Sequence, residues 1–281
     1  MLKQRVITAL VLLLLLLPTF FVTDPSLFCA VALVMISAGA WEWGKLNGCS
    51  QPTSLGIAGA VFLMCALLWQ FGALNQFFPF LWIVAGSAWV LLGAFFLKSG
   101  VLAWSRYPKV LRLVGGVVAL GLAWLAVAQA RVIGINFLLS ILVLVWVADI
   151  FAYFSGKAFG GRFIKRKLAL SISPGKSWEG AIGGMAGVVL VAFVWRWADA
   201  YWGFSVLSLY SQIGKKSGWL LLVACIFMAS MSVVGDLFES LVKRSANVKD
   251  SSGLLPGHGG ILDRIDALIP TLPLAMMLYS V

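Results

Sequence analysis

Apolar residues run along this chain in nine stretches, each long enough or nearly so to cross about 30 Å of hydrocarbon as a helix. They lie near residues 6–22, 27–44, 54–74, 77–97, 109–129, 132–154, 180–198, 218–242 and 261–281. The predicted fold is therefore all-α, a polytopic integral membrane protein. Two stretches depart from a plain apolar run. The second carries Glu42 inside its end, and the ninth contains Pro270 and Pro273. Proline is tolerated in a membrane helix where neighbouring groups re-satisfy the freed carbonyls. The first stretch, a leucine run behind Lys3 and Arg5, imitates a secretory leader. It ends Pro18-Thr-Phe-Phe-Val-Thr-Asp24 without the small-residue cleavage pattern, and the expectation is a retained first helix.

Composition agrees with the pattern. Hydrophobic residues make up 62% of the 281 and charged residues 11%, where a soluble domain carries about a quarter charged. The four cysteines, Cys29, Cys49, Cys65 and Cys225, form no Cys-x-x-Cys pair. They predict neither disulfides nor a zinc site.

Charge sets the expected orientation. With the amino end in the cytoplasm, only Arg131, Arg196, Lys215 and Lys216 of the 21 basic residues fall on the far side. That is the positive-inside distribution, and nine crossings place the carboxyl end outside. The net charge of +11 then gathers on the cytoplasmic face, where it meets anionic headgroups. These cations sit on short loops against a bilayer, so nucleic acid is not an expected partner.

The acids divide the chain. Up to residue 131 there are only Asp24 and Glu42, and the rest of the ten fall between Asp149 and Asp266. Residues 1–131 are read as a transmembrane scaffold and 132–281 as the catalytic region. Ionisable groups at membrane depth are costly and usually face a polar cavity that serves function. Asp149, Tyr153 and Gly156 share one helical face in the sixth stretch, and Asp236, Glu239, Ser240 and Lys243 share another at the end of the eighth. Asp263 and Asp266 flank Arg264 at the start of the ninth. From Asp263 to Val281 there is only about 28 Å of helix, which sinks the acidic turn to headgroup level or below. With Asp236 it predicts a recessed cluster of three carboxylates. Such a cluster repels itself, and hard Mg2+ relieves the repulsion.

Two loops carry further candidates. Lys243, Arg244 and Lys249 precede Gly257-His258-Gly259-Gly260, with the chain's single histidine; cations and close-approaching backbone amides suit phosphates. The other loop holds Ser173-Pro174-Gly175-Lys176-Ser177. It is not a Walker A loop, which needs glycine five positions before its Gly-Lys, where Leu170 stands.

The run from Ser240 to Asp266 resembles the signature of the phosphatidate cytidylyltransferases, also called CDP-diglyceride synthases. Ser240, Lys243-Arg244, Lys249-Asp250, Ser252, Leu255-Pro256, His258-Gly259-Gly260, Asp263-Arg264 and Asp266 occupy its fixed positions. Asp149, Tyr153, Gly156, Phe159 and Gly160 resemble a second family block. Ser173-Pro174, Lys176-Ser177 and Glu179-Gly180 resemble a third, in which serine replaces the commoner threonine. The resemblance implies transfer of CMP from CTP to phosphatidic acid, giving CDP-diacylglycerol and pyrophosphate, a step of phospholipid biosynthesis. It further implies a homodimer, and a bacterial cytoplasmic membrane with the site facing the cytoplasm.

On this reading Asp236, Asp263 and Asp266 hold Mg2+, alone or with a second cation. Lys243, Arg244, Lys249, Arg264 and Lys176 neutralise phosphates. His258, Gly259 and Gly260 shape the phosphate-contacting turn, and Ser173, Asp149 and Tyr153 contribute to substrate binding. A CTP-dependent lipid kinase is the rival enzyme and would release CDP. A transporter using the same acids is the rival non-enzyme, and it leaves the Lys-Arg…Lys-Asp…His-Gly-Gly run without a purpose.

Overall fold

The computed structural model describes residues 2–280, apart from the side chains at 2, 3, 5, 6, 9 and 12. The Lys3 and Arg5 side chains used for orientation, and Val281 at the end of the ninth stretch, lie outside the described residues. The helices are α1 (Leu2–Phe21), α2 (Ser26–Leu46), α3 (Gln51–Gln70), α4 (Pro79–Ser99), α5 (Val101–Trp104) and α6 (Lys109–Ile133). There follow α7 (Ile135–Phe159), α8 (Trp178–Trp202), α9 (Leu209–Lys216), α10 (Gly218–Ser245), α11 (Leu262–Ile265) and α12 (Leu268–Ser280). Among the described residues there is no β-strand, only isolated bridges at Ala169–Ser173 and Leu255–Gly259.

Seven of these, α2, α3, α4, α6, α7, α8 and α10, are long and apolar enough to span a bilayer. The chain is a multi-pass membrane protein. The ninth predicted stretch is not one helix but two pieces, α11 and α12. Asp266 explains the break, because its side-chain Oδ1 accepts the Ala267 N–H at 2.7 Å and draws that amide out of a continuous ladder. Pro270 then falls in the first turn of α12, where a missing N–H costs little. The 13 residues of α12 rise only about 20 Å, short of a full crossing. Three short elements escaped the periodicity: α5, α9 and a 3-10 turn at Ala73–Asn75.

Helix ends follow local chemistry. Ser50, Ser177 and Ser208 cap α3, α8 and α9 by accepting a backbone N–H with the side chain, and α6 passes into α7 through Gly134 alone, at φ 151°. The best-defined end is that of α10. Asn247 takes φ 58°, Val248 N–H donates to the Lys243 carbonyl at 3.0 Å, and Asn247 N–H donates to the Arg244 carbonyl at 3.1 Å. This is a Schellman stop. It turns the chain sharply off α10 into the loop that bears the signature.

Helices α7 and α8 cross closely over a glycine seam. A Cβ on Gly184 would stand 2.7 Å from the Ala148 carbonyl oxygen, and one on Gly180 would stand 2.9 Å from that of Ala152. Gly184→Val is therefore expected to destabilise the protein by about 1–3 kcal/mol through overpacking. Gly59→Val, where a Cβ meets nothing within 4 Å, should not. Melting of both variants in detergent checks this, and equal melting points would remove the seam's importance.

At the far end of this pair Asp199, 2% exposed, accepts from Asn136 Nδ2, Ser208 N and Oγ, and Ser211 Oγ. That carboxylate is saturated by neighbours and serves the fold. The N-terminal and C-terminal regions interlock: α12 packs on α4 and α6, and α10 on α4 and α5.

Candidate active site

The signature loop between α10 and α11 is held from three directions. The first is its own turn. Leu255 N–H donates to the Gly259 carbonyl at 2.8 Å and His258 N–H to that of Leu255 at 2.8 Å. Gly257 and Gly259 both sit at positive φ, 77° and 80°, which side-chain-bearing residues resist. Arg264 closes the turn from outside, donating from Nε and Nη2 to the His258 carbonyl at 3.1 and 2.7 Å. The second is Asp263. Its Oδ2 accepts from Ser251 N (2.8 Å), Ser251 Oγ (2.8 Å) and Gly260 N (2.7 Å), and its Oδ1 accepts from Lys243 Nζ at 2.5 Å.

The third hold comes from the scaffold half. Glu42 of α2, with no exposed surface, accepts three hydrogen bonds of its own and shares with Asp263 the single proton of the Ser251 hydroxyl. Its Oε1 takes Ser252 Oγ (2.5 Å) and Ile261 N (2.9 Å), and its Oε2 takes Ser251 Oγ (3.1 Å) and Leu262 N (2.7 Å). A carboxylate sealed inside protein must be fully hydrogen-bonded to remain charged, and here both ends of the loop supply the donors. Sequence reasoning missed this residue. The signal was present, since Glu42 is an acid embedded in an apolar helix of a half otherwise nearly free of acids. Its position near the helix end made it look interfacial.

Around this loop the charged side chains of three elements meet. Lys243 Nζ stands 2.5 Å from Glu239 Oε2 as well as from Asp263 Oδ1, joining α10 to the start of α11. Glu239 is 4% exposed, and neither of its oxygens receives an aligned hydrogen bond from a described residue. A turn earlier, Asp236 pairs with Lys176, which reaches across from the loop before α8, and accepts from Ser240 Oγ at 3.3 Å. Asp266 lies alongside, because α10 comes so near at Gly235 that a Cβ there would stand 2.6 Å from the Asp266 carbonyl oxygen. Asp149 of α7 is exposed.

The Ser173–Gly180 loop is built to deliver Lys176. Lys176 N–H donates to the Ser173 carbonyl at 3.2 Å and Leu168 N–H to that of Lys176 at 3.3 Å. Glu179, 8% exposed, accepts from the amides of Gly161, Phe163 and Ile164 at 2.9–3.1 Å, tying the chain after α7 to the first turn of α8.

The structure thus pairs Lys176 with Asp236, and Lys243 with Glu239 and Asp263, with Asp266 alongside α10. Other candidates stand further out. Tyr153 is exposed, with Lys157 over its ring at 5.9 Å. Lys249 is exposed, and Arg244 turns back on the Val248 carbonyl at 3.3 Å. His258 keeps a buried Nδ1 with no partner among the described residues.

Carboxylate oxygens are the donor type that a hard divalent cation prefers. Asp236, Asp263 and Glu239 each already hold a positive ammonium on one oxygen, and the second oxygen of Asp263 is taken up by the Ser251 and Gly260 donors. The acids line up as neighbours rather than one cage: among the described residues no three His, Cys, Asp or Glu side chains stand at metal-ligand spacing.

Known proteins extend the comparison over the whole length. The Cytidylyltransferase family pattern matches residues 3–281. The phosphatidate cytidylyltransferase of Pseudomonas aeruginosa is 38% identical over 286 residues, covering 100% of this chain and 98% of that protein. Those of Haemophilus influenzae and Brucella abortus are 35% and 34% identical, each covering 99% of this chain and 99% and 92% of their own lengths. With the family pattern running from end to end and relatives of 34–38% identity covered along their whole length, this chain belongs to the cytidylyltransferase family.

Proposed function

We infer that the chain transfers the cytidylyl group of CTP to phosphatidate, giving CDP-diacylglycerol and pyrophosphate. The observation that carries this is the convergence of the signature's Lys243, Asp263 and loop amides with Lys176 and Asp236 in a chain related over its full length to phosphatidate cytidylyltransferases. In the reaction a phosphatidate oxygen forms a bond to the α-phosphorus of CTP as the bond to the bridging α–β oxygen breaks, and pyrophosphate departs with that electron pair. The nucleophile is already anionic, so no strong base is needed. Positioning and charge neutralisation dominate such displacements.

The chain's own groups suit that work. Lys176 and Lys243, each on a carboxylate that can hand them over, bring positive charge to phosphate oxygens. Arg264 fixes the His258 turn and its glycines, and Glu42 fixes both ends of the loop. Mg2+ held by Asp236, Asp263 and Asp266 would add positive charge against the triphosphate. The enzyme on this reading lies in a bacterial cytoplasmic membrane as a homodimer. The site faces the cytoplasm, CTP arriving from water and phosphatidate from the inner leaflet.

Purified protein in liposomes, given CTP, phosphatidate and Mg2+, is expected to yield CDP-lipid and pyrophosphate in equal amounts, and to stop when EDTA is added. Release of CDP with a phosphorylated lipid would replace this reading by a lipid kinase. Undiminished turnover in EDTA would remove the metal.

A further inference from the structure

On the scaffold side of the acid site lies an apolar cavity of about 540 Å³ between α4, α5, α6 and α10. Its size falls among ligand pockets, about 300–1,000 Å³. Aromatic rings form its floor: Trp43, Trp89, Phe96 and Trp104 surround Phe238, with centroids 5.4–6.3 Å from it. Three features give it direction. Glu239 and Asp266 of the acid site stand in its wall. From Leu111 to Leu122 of α6 it follows the helix for about 16 Å, running from the loop end toward the middle of the bundle. Exposed Leu92, Phe95, Leu111 and Val118 rim its outer flank, so it opens sideways onto lipid.

At its loop end sits Arg112. The guanidinium donates to Asn47 Oδ1 at 3.2 Å and lies 6.0 Å from the Trp104 ring centroid, while its Nε has no acceptor among the described residues.

We propose that this cavity is the slot for an acyl chain of phosphatidate, with Arg112 drawing the anionic headgroup to its mouth beside Glu239 and Asp266. This rests on the lipid-substrate reading above. A long apolar slot with a lateral opening, a cation at one end and the acid site in its wall matches a molecule with a phosphate head and a hydrocarbon tail. A nucleotide needs polar lining, which the slot lacks. The N-terminal region then supplies chain-length selection while the C-terminal region supplies the phosphate chemistry.

Gly115 provides the test. It lines the slot, and a Cβ there meets nothing within 4 Å, so Gly115→Leu adds bulk at the cavity wall and raises helix propensity. Leu92→Trp narrows the opposite wall. For each variant the ratio of kcat/KM for dioleoyl over dihexanoyl phosphatidate is expected to fall roughly tenfold or more, as displaced methylenes in an apolar pocket do. An unchanged ratio in both variants overturns the slot.

A second measurement does not depend on turnover. Phosphatidate carrying a diazirine near the end of its chain is expected to label peptides of α4 and α6, with unlabelled phosphatidate competing and phosphatidylcholine not. Labelling that any lipid competes away would mark a site for bulk bilayer lipid. Labelling elsewhere, or crosslinking of this face to a second copy of the chain, equally overturns the slot. If the parent protein turns over neither phosphatidate, the activity reading fails, and the labelling result still decides the slot.

Discussion

Asp263→Ala is expected to lower CDP-diacylglycerol formation by about a hundred- to a thousandfold, the scale seen when a preorganised charge-stabilising group is removed. The loss has two parts. Lys243 Nζ, with its side chain 11% exposed, loses one of its two carboxylate partners and keeps only Glu239. The amides of Ser251 and Gly260 lose their acceptor as well, so the loop loses its closure. Asp263→Asn separates these parts. It preserves shape and one acceptor while removing the charge, so melting should move less than in the alanine variant while activity stays low. Turnover of labelled CTP in liposomes, with melting in detergent, gives both readings. Activity of Asp263→Ala within tenfold of the parent would contradict the assignment.

The second large effect is at a residue of α2, outside the signature. Glu42→Ala leaves Ser252 Oγ and the amides of Ile261 and Leu262 without their acceptor, and each buried orphan costs about 1–3 kcal/mol. The chain closest to those donors carries Ser251, Asp263 and Gly260. A misplacement of only about 1 Å costs roughly 10²-fold in rate, and that is the fall expected in kcat. Glu42→Gln should recover little, because its amide NH2 would confront N–H and O–H donors. Glu42→Asp retains the charge but falls a methylene short, and belongs in between. Limited proteolysis between residues 248 and 260 should quicken in the same order. A merely structural role would lower melting and leave that order absent. Parent-like kcat in Glu42→Ala would refute the positioning role.

Much of this molecule was legible from residues alone. Eight of the nine apolar stretches became single helices close to the expected bounds, since apolar length dominates where lipid is the solvent. The ninth was misread because Asp266 competes for a backbone amide at 2.7 Å, a contact that hydropathy does not register. The charged face of Asp236, Glu239, Ser240 and Lys243 was readable from helical spacing. Its pairing was not, because Lys176 arrives from a loop sixty residues away. Glu42 escaped for the same reason on a larger scale. Tyr153 and Asp149, placed on one face by spacing, are both exposed on α7.

The bonds from Glu42 reach 209 to 220 positions along the chain. During synthesis α2 therefore leaves the ribosome long before its hydrogen-bond donors exist, carrying an acid that hydrocarbon does not tolerate alone. Its helix must wait at the edge of the bilayer or beside the insertion machinery until the last segment is made. Chains cut short before residue 251 would lack all of those donors and leave the acid unpartnered.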